Sequence, residues 1–219
     1  MEYSQKIAER LWNQPDKGEL ESHREETFID DIIQKNHIEQ ELLSHLEGIQ
    51  TVFDGGAGCG RFSILLAKHG CRVTHFDISQ PMIDKAKELA QKEGVSDRIT
   101  FVKGALEDLH EYEDSSFDMA ISFDAPISYT YPNQEQVLGE LVRICRRRIL
   151  ISVSSRLGYL PCPSCHLSCR GVDSFYGFGQ FTGKIFKPLL YFAEFPRIIL
   201  FQDIVQIPVS DLTQYFRNL

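Results

Sequence analysis

The chain has 219 residues, of which 31 are acidic and 23 basic, for a formal net charge of −8. That length suits one α/β unit with a short extension, large enough to bury about 70% of its unfolded surface. The acidic balance, with no basic stripe among the aromatics, speaks against a nucleic-acid partner. A charged N-terminus and an apolar stretch at 188–201 broken by Glu194, Pro196 and Arg197 speak against a signal peptide and a membrane span, so a reducing, cytoplasmic setting is expected.

In chain order, residues 21–47 carry Phe28, Ile29, Ile32, Ile33, Ile38, Leu42, Leu43 and Leu46 at helical spacing, with charge on the other face. This segment is expected to lie over the ligand face or the sheet edge. Next comes a β-branched and aromatic strand that ends in Asp54 and enters a loop holding Gly55, Gly56, Gly58 and Gly60. A helical pattern follows, then a second apolar run that ends in Asp77. Strands are expected at 50–54, 72–77, 99–103, 119–123 and 148–152, and helices at 60–68, 81–93 and 134–145. The arginine run at 143–148 reads as a solvated helix end matched to the helix dipole.

Strand, glycine turn and helix in that order make a nucleotide-binding βαβ unit. Glycines tolerate positive φ and let a ligand approach the backbone without meeting a Cβ. Asp77 stands 23 residues after Asp54, where an acid can accept hydrogen bonds from both hydroxyls of an adenosine ribose. A pyrophosphate fingerprint would need glycine at 59 or 61, where Cys59 and Arg61 stand. The spacing is Asp54-x-Gly56-x-Gly58-x-Gly60 instead, and a carboxylate before the loop suits a cationic ligand better than a diphosphate. Each piece has a structural alternative. The loop can be a plain turn, Asp77 can cap the helix after Ser79, and Met82 can be core.

The pattern resembles the first motif of the class I S-adenosylmethionine-dependent methyltransferases, and the resemblance spans residues 49–155. It implies a Rossmann-like, doubly wound, mostly parallel α/β sheet with helices on both faces and an N-terminal helical cap. It further implies that Gly56, Ala57, Gly58 and Gly60 form the cofactor loop, that Asp54 helps hold the amino group of S-adenosylmethionine, and that Asp77 clamps the ribose. Ile78 and Met82, in a stretch like the family's second motif, would flank the adenine. Ala105, Leu106 and Glu107 match the third, where Ala105 replaces the usual acid and leaves Glu107 or a backbone amide to serve the adenine amine. Phe123 and Asp124 follow the fourth strand. Asp124 is the carboxylate best placed to act as base, and Ser128, Tyr129 and Tyr131 could shape the acceptor pocket. The activity implied is methyl transfer to a small molecule; the alternatives are a non-catalytic binding relative and a nicotinamide-dependent oxidoreductase.

The chain then divides into a helical cap (1–48), the cofactor domain (49–155) and a divergent C-terminal segment (156–219). From Leu157 onward only 9 charged residues occur in 63 positions, while 12 of the 24 aromatics fall there. Residues 197–209 could supply the family's closing hairpin, although no Gly or Asn turn is evident. Cys162, Cys165, His166 and Cys169 could chelate a soft metal, but they enclose too little chain for a closed site, so free thiols and no metal are expected. Cys59, Cys71 and Cys145 read as small core residues, and His37, His45, His69 and His75 as surface or core histidines.

Overall fold

The computed structural model describes residues 4–23, 29–124 and 126–152, and beyond them the strand segments named below. Helices α1 (Ser4–Trp12), α2 (Lys17–Ser22) and α3 (Ile29–Ser44) precede the first strand. The helical segment expected over 21–47 falls on the end of α2 and on α3. α2 closes at Ser22, where the His23 N–H donates back to the Leu20 carbonyl at 3.3 Å.

Five parallel strands then alternate with helices: β1 (Thr51–Gly55), α4 (Arg61–Lys68), β2 (Arg72–Asp77), α5 (Gln80–Lys92), β3 (Ile99–Lys103), β4 (Phe117–Ser122), α6 (Gln134–Ile144) and β5 (Cys145–Ile151). The sheet continues antiparallel from β5 through β8 (Tyr191–Glu194) and β9 (Arg197–Ile199) to β10 (Gln206–Pro208), while β6 (Gln180–Phe181) and β7 (Lys184–Ile185) pair separately. The β9–β10 pair is the closing antiparallel element that 197–209 was expected to supply. The Cys162–Cys169 cluster lies outside the described residues.

Strand order runs β3-β2-β1-β4-β5 across the parallel part, so the chain reverses direction between β1 and β4. Right-handed crossovers on either side of that point put α4 and α5 on one face and α6 on the other, and they open a crevice at the C-terminal strand ends. All six residues of β4 are buried, as a central parallel strand requires. Beneath the crevice, the Phe53 ring meets Phe76, Phe117 and Tyr112 at centroid distances of 5.3, 5.4 and 5.5 Å.

At the opposite end of the strands, Asp118 is only 2% exposed. Its carboxylate accepts the N–H groups of Gln50 and Thr51 at 2.9 and 3.0 Å and pairs with Arg146 at 2.7 Å and Arg147 at 3.5 Å. This corrects the reading of 143–148 as a helix end. Only Arg143 belongs to α6; Arg146, Arg147 and Arg148 lie on β5, two of them drawn to Asp118. No glycine or proline separates the two elements, since α6 ends at Ile144 and β5 begins at Cys145.

Candidate functional site

The glycine loop leaves β1 and folds over the tip of β2: the Gly56 and Ala57 N–H groups both donate to the Phe76 carbonyl, at 2.8 and 3.2 Å. At Gly58 the backbone takes φ +55°, a region costly for residues with a Cβ, and its N–H donates to Asp77 Oδ2 at 2.8 Å. The other oxygen of Asp77 accepts the Ser79 N–H at 2.8 Å. Loop, strand tip and the start of α5 are thus joined through one carboxylate. Ser79 is the N-cap of α5, its hydroxyl accepting the Met82 N–H; Asp77 supports the cap without being it. A Cβ built on Gly56 would lie 2.4 Å from Pro126, whereas one on Gly58 would meet no described atom within 4 Å. The loop is covered at Gly56, by the 3₁₀ turn Pro126–Thr130, and open at Gly58.

Three carboxylates surround this loop. Asp54, 2% exposed, accepts the Ser63 hydroxyl at 2.6 Å. Desolvation, with the nearby charges of Asp77 and Asp124, pushes its pKa up to about 7 against the lowering by Ser63. Burial also raises Asp77, opposed by the Ser79 and Gly58 amides. Asp124 lies beyond β4 at φ +63°, its N–H donating to Ser152 Oγ at 2.8 Å and its carboxylate 3.9 Å from Arg61. Carboxylates brought together out of water favour a cationic ligand, which would relieve both their desolvation and their mutual repulsion.

The other expected site residues gather around the same crevice. Met82 is buried with its Sδ 3.4 Å from the Cys59 Sγ, while Ile78 is half-buried beside Asp77. The Gly104 N–H donates to the Asp77 carbonyl at 2.9 Å, which brings Ala105, Leu106 and the half-buried Glu107 alongside the β2 tip. Phe123 is buried against Phe62, with ring centroids 4.8 Å apart. Cys59 is half-buried, not core, and its thiol also donates to the Gly18 carbonyl at 3.2 Å.

Helices α1 and α2 roof this end of the sheet. The Ser79 hydroxyl donates to the Trp12 carbonyl at 2.7 Å, the Gln80 N–H to Asn13 Oδ1 at 3.0 Å, and Lys85 pairs with Glu19 at 2.7 Å. Trp12 packs edge-on against Tyr129 at 5.9 Å, while Tyr131 is 64% exposed at the rim. Trp12, Asn13 and Ser63 were not legible as site residues. For Ser63 the available signal is a lone hydroxyl among Phe62, Ile64, Leu66 and Ala67 on the buried face of α4.

Residues 52–148 match the model of a family described as methyltransferase domain. Among relatives, the tRNA 5-carboxymethoxyuridine methyltransferase of Escherichia coli is 36% identical over 70 residues, 32% of this chain and 27% of that protein. The sarcosine/dimethylglycine N-methyltransferase of Halorhodospira halochloris is 30% identical over 135 residues, 57% of this chain and 47% of that one. The chain therefore spans less than half the length of these relatives. In fold it is similar to a magnesium protoporphyrin IX methyltransferase from Synechocystis, solved with bound SAH, at a TM-score of 0.58 and 22% identity, covering 70% of this chain and 74% of that one.

Proposed function

We propose that this chain, whose residues 52–148 match the family described as methyltransferase domain, is a class I S-adenosylmethionine-dependent methyltransferase that binds its cofactor in the crevice between β1 and β4 and methylates a small-molecule acceptor. One observation carries the reading: Asp77 is bonded to the Gly58 amide at 2.8 Å, so the ribose-binding acid and the open part of the glycine loop form a single unit at the topological switch point. The residues fit the cofactor, with no described atom within 4 Å of a Cβ at Gly58 and carboxylates facing a ligand that carries positive charge.

When bound, the cofactor supplies an electrophilic methyl group on a sulfonium, whose positive charge is lost in the transfer. Asp77 holds the ribose, Asp54 answers the amino group, and Ile78, Met82 and the 105–107 turn frame the adenine. Such a reaction needs orientation and exclusion of water more than acid chemistry. The roof built from Trp12 and Tyr129 supplies the second, and Asp124, held at the mouth by Ser152 and Arg61, is positioned to take a proton from an amine or hydroxyl acceptor.

A small acceptor is favoured by the net charge of −8, which repels polyanionic substrates. Calorimetric titration tests the cofactor: S-adenosylhomocysteine should bind at micromolar concentration and NAD should not. Binding without methyl transfer to any of a panel of amines, hydroxyls and carboxylates would favour a non-catalytic binding protein; binding of NAD alone would remove the reading.

A further inference from the structure

Behind the glycine loop lies a polar cluster that the methyl-transfer chemistry does not use. Ser63 Oγ sits 2.6 Å from Asp54 Oδ2 and 3.2 Å from His75 Nδ1. Ser63 and His75 are wholly buried, and β1 and β2 pair so that Asp54 lies directly across from His75. His75 Nε2 has no hydrogen-bond partner among the described residues. With the Ser63 proton committed to Asp54, the hydroxyl oxygen is left to accept from His75 Nδ1–H, which fixes the neutral imidazole with its bare nitrogen at Nε2.

We propose that Asp54, braced by Ser63 and His75, gives up one proton when the cofactor's cationic amino group arrives, so that cofactor binding releases a proton to solvent near neutral pH, with Ser63 setting the pH at which it does so. The inference rests on the cofactor reading above.

Groups of both kinds face this carboxyl. Asp77 on β2 and Asp124 beyond β4 repel its charged form, and Arg61 at the start of α4 is engaged with Asp124. His75 is held neutral, its pKa lowered to about 3 by burial and, secondarily, by the Lys87 charge on α5. No cation therefore compensates Asp54 within the cluster, and its pKa of about 7 leaves it largely protonated just below neutrality. An incoming ammonium supplies the missing positive charge and lowers that pKa. Asp54 O–H loses its proton to buffer, the electron pair stays on the carboxylate, and the Ser63 hydroxyl keeps its own proton throughout. Ser63 is a positioning residue, acting on the cofactor only through Asp54.

The test is calorimetry of S-adenosylhomocysteine binding in phosphate, imidazole and Tris-type buffers matched for pH. The slope of observed heat against buffer ionisation enthalpy counts protons released. A pKa of about 7 gives about 0.9 proton at pH 6 and about 0.1 at pH 8. Asp54→Asn should bind with no buffer dependence at either pH. Ser63→Ala, which removes a bond favouring the charged form, should move the midpoint of proton release up by about one to two pH units; loss of mere packing would not displace a pH midpoint. Tight binding with no buffer dependence at pH 6 would overturn this inference and leave the cofactor reading standing. Absence of binding in any buffer, with folding verified by circular dichroism, would overturn both.

Discussion

Two aspartates, equally hidden, mark opposite ends of the sheet. Asp54 and Asp118 are each 2% exposed, yet their pKa values move in opposite directions. Desolvation acts against the charge at both. At Asp118 the amides of Gln50 and Thr51 and the Arg146 guanidinium outweigh it, and the pKa falls; at Asp54 one hydroxyl opposes burial and two acids, and the pKa rises. Solvent exposure alone does not separate the two. Compensation does: Asp118 is paired with arginine, whereas Asp54 has no cation beside it among the described residues.

The largest way to test that contrast lies beside Asp54. Gly58→Val should reduce S-adenosylhomocysteine affinity more than about 100-fold, because a β-branched residue at φ +55° is strained and its side chain enters the open approach. Wild-type affinity in a folded variant would make the loop a plain turn. The two aspartates themselves should respond with opposite signs. Asp118→Asn should lose about 1.5–3 kcal/mol of stability in urea unfolding at pH 8, since it weakens a charge-assisted cluster. Asp54→Asn should gain about 1–3 kcal/mol at the same pH by removing an uncompensated buried charge. If both variants destabilise alike, the contrast fails. Asp77→Ala should fold and bind about ten- to a hundredfold more weakly, through loss of hydrogen bonds to a charged acceptor; unchanged affinity would take Asp77 out of the site. Smallest of all, Lys85→Ala should leave thermal stability nearly unchanged, because Glu19 in the pair with Lys85 is mostly exposed. A larger drop in thermal stability would show that the roof depends on that pair.

Most of the parallel core was legible because its signals are local. Alternation of apolar strands and helical periods, with glycine at the turn after β1, located β2 and β3 at their observed ends and the other elements within a few residues. β4 was expected from Met119 but begins at Phe117; the charge of Asp118 is tolerated within a buried strand through partners remote in sequence, the Gln50 and Thr51 amides and the Arg146 guanidinium. The helix-to-strand change at Ile144 was hidden for a related reason: three arginines in succession look solvated until Asp118 is known to draw in two of them. Asp54, Asp77 and the loop stood out by spacing. Ser63 and His75 did not, since a single polar residue on a buried face carries meaning only when its neighbour across the sheet is known.

The Asp54 and His75 pair also governs how the domain meets acid. In the unfolded chain between about pH 4 and 6.5 the aspartate is ionised and the histidine protonated; in the folded chain, with pKa values of about 7 and about 3, both are neutral. Alone, the raised acid makes stability fall as pH climbs from 4 to 7, and the lowered histidine makes it rise from 3 to 6.5. Together each state carries one proton, so the two slopes cancel and mild acidification leaves this part of the molecule indifferent. Asparagine at position 54 should unmask the histidine, giving a stability that grows by about 1.4 kcal/mol per pH unit across that window, measurable as a steady climb in urea midpoint. Two groups that each look like a liability in isolation thus act as a matched acid and base whose proton is only relocated by folding.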